Sequence, residues 1–126
     1  MLRAAFLPHF KGSNTLLIWG DNADMARFND GLLELSRGES SVVEIKGGWG
    51  LSALRVRADS SVGVSRISGS EVALEWVCSL DVLEQCLVLI KPLLTSAAGH
   101  QYAEAQGGLA DQAVIAVNEY PGDLRR

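Results

Sequence analysis

The chain has 126 residues, of which 48% are hydrophobic and 21% charged, and its formal charge is −4 at neutral pH. That length fits one domain able to bury roughly two thirds of its unfolded surface, with the composition of a folded globular chain. The mild negative charge argues against a general nucleic-acid binder, which carries a clustered basic surface, and is compatible with a basic protein partner.

The opening, Leu2–Leu7, reads as a short strand ended by Pro8. Its apolar run before Pro8 is too short for the core of a signal peptide. A turn cluster at Lys11–Asn14 and an apolar strand at Thr15–Trp19 complete a β-hairpin. Gly20, Asp21 and Asn22 then supply a break and an N-cap for a helix over Ala23–Arg37. Its apolar stripe is Met25, Phe28, Leu32 and Leu35, with Gly38 as the stop. The opposite face carries Arg27, Asp30, Glu34 and Arg37, spaced for surface ion pairs.

Val42–Ile45 and Leu54–Ala58 read as strands around a Gly47-Gly48-Trp49-Gly50 turn. A shorter, more polar strand follows at Gly63–Ile67. Glu71–Val77 alternates Val72, Leu74 and Trp76 against Glu71, Ala73 and Glu75, the pattern of one buried and one wet face. Arg55 and Arg57 share a wet face with Glu71 and Glu75 nearby, which suits cross-strand ion pairs.

Leu80–Leu94 is the most apolar segment. On a helical wheel its apolar residues, from Leu80 to Leu94, fill about half the circumference. Asp81, Glu84, Gln85 and Lys91 share the remainder with Val88. Such a helix must roof a sheet, and its polar arc has an apolar residue at its centre. Ser79 caps it, Pro92 ends its regular part near Lys91, and Gly99 terminates it. Its longest unbroken apolar run, Cys86–Ile90, is far below the ~20 residues that span a bilayer. Strands at Gln101–Ala105 and Ala113–Val117 follow, and residues 119–126 read as an exposed tail. The whole is a single α+β domain over 1–126, with a mostly antiparallel sheet of about six strands and two helices on one face.

Little of this chain has the form of a catalytic or cofactor motif. His9 and His100 do not stand at ligand spacing from a cysteine or from each other, so no metal site is expected. The glycine-rich turn lacks the lysine and hydroxyl of a phosphate loop and the helix that would follow a dinucleotide fingerprint. Cys78 and Cys86 sit in apolar surroundings and read as buried, reduced thiols. His100 follows a helix end, where an imidazole acts as a C-terminal cap. Trp49, at the tip of a turn, is either an interface anchor or a ring folded back on the sheet. No cofactor, nucleic-acid partner or membrane segment is expected, and the expected location is the cytoplasm.

Gly99-His100-Gln101-Tyr102 and the segment AVIAVNEYPGDL at Ala113–Leu124 resemble the C-terminal half of small bacterial immunity proteins of polymorphic toxin systems. The resemblance covers about the final 50 residues, from Trp76 onward. It implies a small cytoplasmic α+β protein that binds and blocks a toxin domain and catalyses nothing. The contact residues then expected are Trp49, His100, Tyr102, Glu119, Tyr120 and Asp123. A small enzyme or ligand-binding domain using His100 with Glu119 or Asp123 is the alternative. A homodimer through Val88 and a sheet edge is compatible with either.

Overall fold

The computed structural model describes residues 1–10, 12–61, 65–105 and 108–119. Strands β1 (Arg3–Phe10) and β2 (Ser13–Gly20) precede helix α1 (Asn22–Ser36). Strands β3 (Val43–Gly47), β4 (Ala53–Ala58), β5 (Arg66–Gly69) and β6 (Ala73–Cys78) then lead to helix α2 (Leu80–Ile90). A short 3-10 helix, Lys91–Leu94, precedes β7 (Gly99–Glu104) and β8 (Gln112–Val117). The α+β class and two helices are as expected from the patterning.

The sheet is larger and more mixed than expected. Eight strands run in the order β5-β6-β4-β3-β1-β2-β8-β7, replacing the anticipated six or so. Four antiparallel hairpins (β1–β2, β3–β4, β5–β6, β7–β8) are joined by parallel contacts between β6 and β4, β3 and β1, and β2 and β8. Each hairpin is set by its own turn, whereas the parallel joins depend on packing between segments distant in the chain. β2 and β8 show the consequence. Leu16–Trp19 and Ala113–Val117 are buried on both faces, so they read as continuous apolar runs.

The sheet curls until its ends touch. Ile67 of β5 bridges to Ala110 in the β7–β8 connection, and the Leu109 amide donates to the Ile67 carbonyl at 2.6 Å. A Cβ on Gly108 would fall 1.9 Å from that carbonyl oxygen, so only glycine lets the two backbones meet there. Beside the seam, the Trp76 Nε1–H donates to Ser65 Oγ at 3.1 Å, and Ser65 Oγ donates to the Glu104 carbonyl at 2.9 Å. Trp76 and Ser65 are both buried.

Both helices cover one face. Met25, Phe28, Leu32 and Leu35 of α1 and Leu83, Cys86 and Ile90 of α2 pack with Leu16, Ile18, Leu54, Val56, Trp76 and Ile115. Asp21 caps α1 in a reciprocal box with Asp24, and Gly38 ends it at φ 72°. Ser79 accepts from the Val82 amide at the start of α2. The other face carries a smaller cluster of Ala5, Leu17, Trp19, Val114 and Ala116, covered by Leu7, Phe10 and Trp49.

Local expectations are corrected at several points. β1 continues through Pro8 because a bulge between Leu7 and Phe10, with His9 at φ 58°, takes up the missing donor. Val72 precedes β6 and is 56% exposed, outside the alternation assigned to it. Leu80, at the first turn of α2, is exposed as well. The α-helix stops at Ile90 ahead of Pro92, and Gly99 opens β7 without ending a helix. Arg27 turns back to Asp24, in place of the expected pairing with Asp30 three residues on. Positions 63–64 of the expected strand before Ile67 lie outside the described residues.

Candidate functional site

The β7–β8 hairpin brings three of the expected contact residues to one corner. His100 lies opposite Ala116 in the ladder, and Tyr102 lies two residues on, on the same face. After β8, Asn118 takes the left-handed conformation at φ 55°, which an asparagine tolerates. The chain thereby turns Glu119 back to His100. The imidazole Nδ1 stands 2.6 and 2.8 Å from the two Glu119 carboxylate oxygens. The side chains are 34% and 23% exposed, so the pair is open to solvent on one side. The Tyr102 ring meets the imidazole edge-on, with centroids 5.4 Å apart at 87°.

Two asparagines hold this corner. Asn118 Nδ2 donates to Asn22 Oδ1 at 3.1 Å and to the Ala97 carbonyl at 2.9 Å. Asn22 Nδ2 lies 3.1, 3.2 and 2.8 Å from the carbonyls of Leu93, Leu94 and Ser96. The first residue of α1 thus satisfies the end of the 3-10 helix, the role expected of His100. His100 is no helix cap; it belongs to β7. From the sequence Asn22 reads only as part of the break before α1, and Asn118 carries no expected role. An asparagine directly after a strand, where the chain must turn sharply, was the signal available.

Trp49 sits on the same sheet face, farther from the corner. Trp19 of β2, Ala116 of β8 and His100 of β7 form one row across three neighbouring strands. The Trp49 ring stacks on Trp19, with centroids 5.0 Å apart and planes at 23°. The indole is folded back from the turn tip and half-buried. Tyr120 and Asp123 lie outside the described residues, as does the tail after Glu119.

The remaining charged groups have structural partners. Arg57 binds both Glu75 oxygens at 3.0 and 2.9 Å, and Arg55 lies 3.5 Å from Glu44. The pairing expected of Arg55 and Arg57 is therefore split, with Glu71 left in a turn beyond β5. Burial disfavours the charged form of Asp24, but hydrogen bonds from the Asp21 backbone, the N-terminal amine and Arg27 outweigh it. Its carboxyl is held below the usual range. Cys78 and Cys86 are free and buried. Burial pushes the Cys86 thiol up to about 12 and, together with neighbouring Cys86, pushes Cys78 higher still. Both are inert as nucleophiles.

Hollows among the described residues include two on the surface. One of about 660 Å³ lies among Asp24, Arg27, Phe28, Glu44 and Lys46. The other, about 780 Å³, is a groove between α2 and β7. Neither is lined by His100 or Glu119. Among the described residues no group of three or more His, Cys, Asp or Glu is placed to hold a metal ion. No described helix is long and apolar enough to cross a membrane. Comparison with protein families, with characterised proteins and with solved structures finds no match for this chain.

Proposed function

We propose that the protein is a non-enzymatic binding module, an immunity-type protein that neutralises a bacterial toxin domain in the cytoplasm. The observation that carries this reading is the gathering of His100, Tyr102 and Glu119 on an exposed corner of the terminal strand. The resemblance of the GHQY and EYPGDL segments points the same way, and Trp49, Tyr120 and Asp123 complete the proposed contact set. Affinity capture from the native host, with mass spectrometry and growth rescue against the product of a neighbouring toxin gene, tests it. Recovery of a toxin domain and rescue are the expected results. Capture of none, with no rescue, overturns the proposal.

The contact between His100 Nδ1 and Glu119 favours a second reading, a carboxylate-oriented imidazole acting as an acid–base group. Neither hollow described above is lined by His100 or Glu119, so this reading ranks below the first. Full toxin neutralisation by a His100→Ala chain whose toxin binding is intact would exclude catalysis by the imidazole from that function.

A further inference from the structure

The groove between α2 and β7 is built from two incomplete surfaces. On the helix side lie Asp81, Glu84 and Val88, and on the strand side Tyr102 and Glu104. Val88 on the helix is 71% exposed, and Tyr102, on the sheet face away from α2, is 44% exposed, so each side of the β7 edge carries an apolar group that nothing in the described chain covers. The three carboxylates make no ion pair with any described residue. Negative charge on the α2 side and an uncovered aromatic ring on the other face of β7 are complementary to a segment that alternates basic and apolar side chains.

The backbone beside this groove is also unfinished. β7 ends the sheet, with β8 on its other side. Ala105 donates its amide to the Asp111 carbonyl across the hairpin at 3.2 Å. In an antiparallel ladder such bonded pairs alternate along the strand, so the amides and carbonyls of Glu104, Tyr102 and His100 point away from β8. The Glu104 carbonyl is already taken by Ser65 Oγ at 2.9 Å, in agreement with that direction. Those of Tyr102 and His100 face outward along the open edge. An exposed edge of this kind is a template for an added strand.

We infer that this groove receives an extended basic segment of the partner protein, which joins β7 as a ninth strand. Its backbone pairs with Tyr102 and His100, its lysines or arginines on the α2 side meet Asp81 and Glu84 with their stems over Val88, and its apolar side chains on the other face lie beside Tyr102. A second copy of the chain fits less well, because it would set one acidic groove against another. The inference rests on the binding-module reading and names the partner's chemistry.

The probe is a capped heptapeptide of alternating lysine and valine, titrated into the full chain and followed by amide chemical shifts. Expected are shifts at His100, Tyr102 and α2, and binding weakened roughly fivefold or more by Glu84→Lys with Glu104→Lys. Salt at about 0.5 M should also weaken it, since exposed charges are then screened. A peptide of the same charge with proline in place of valine should not produce the β7 shifts, because proline breaks the ladder. Shifts confined elsewhere, no binding, or equal response to the proline peptide overturn the inference. So does a dimer of the free chain, seen by sedimentation, that Glu84→Lys dissociates. If a captured toxin domain binds the doubly substituted chain unchanged, the groove is refuted while the binding-module reading stands.

Discussion

Trp49 lies flat against Trp19, 5.0 Å between ring centroids, so the tip of the β3–β4 hairpin is fastened to the outer face of β2. Gly48 makes the approach close; a Cβ there would stand 3.2 Å from the Trp19 ring. The stack covers the small outer cluster formed by Leu17, Val114 and Ala116. Trp49→Ala should therefore lower stability by about 2 kcal/mol, combining lost burial with the aromatic pair. Urea unfolding measures this, and Trp19 emission should shift to the red. Unchanged stability would mean the indole is not part of the folded body.

Ser65 is the hinge pin of the sheet closure, accepting from Trp76 and donating to Glu104. Ser65→Ala leaves a buried indole N–H without a partner and should cost about 1–3 kcal/mol. Adding Trp76→Phe removes the orphaned donor. The double variant should then show a coupling of at least ~0.5 kcal/mol in a double-mutant cycle. Strict additivity would show that the hydrogen bond contributes nothing.

Glu75 and Arg57 give the sheet a pH dependence of known sign. The Arg57 hydrogen bonds hold the Glu75 carboxyl below its ordinary value against the opposing effect of burial. A carboxylate whose pKa is lower when folded stabilises the fold above the unfolded value. That contribution disappears as pH falls through the folded value. Both side chains are more than a third exposed or close to it, so the pair is worth only about 0.5 kcal/mol after screening. Glu75→Gln should be slightly less stable than the parent at about pH 7, the difference closing near pH 3. A gap that widened on acidification would contradict the pairing.

Burial of both thiols predicts their reactivity. At about pH 8, an exposed cysteine alkylates readily, because its thiolate is appreciably populated there. Cys78 and Cys86 should resist iodoacetamide in the folded chain and react in denaturant, as read by intact mass. Rapid labelling of either without denaturant would place it at the surface.

Much of this architecture was legible in the amino-acid order. The stripe Met25, Phe28, Leu32, Leu35 marked α1, and all four residues are buried. Pro92 marked the end of α2, and the regular helix stops two residues before it. Apolar periodicity and turn chemistry are local, and local signals survive folding. The candidate site was half legible: His100 with Glu119 or Asp123 was one expected pairing and Tyr102 was chosen separately, whereas the left-handed turn at Asn118 that carries Glu119 to His100 was not expected.

What only tertiary structure decided is which hairpins lie side by side. The parallel joins β6–β4, β3–β1 and β2–β8 pair residues far apart in the chain, as Leu17 and Val114 illustrate. No local pattern encodes such a neighbour, because a doubly buried strand needs only apolar partners and accepts many. The contact between His100 and Glu119 depends on one of those hairpins and on a left-handed asparagine after it. The residues themselves determined two helices, the turns before β2 and β4, and a buried stripe; the packing of distant strands chose the sheet order and, with it, where the surface can bind.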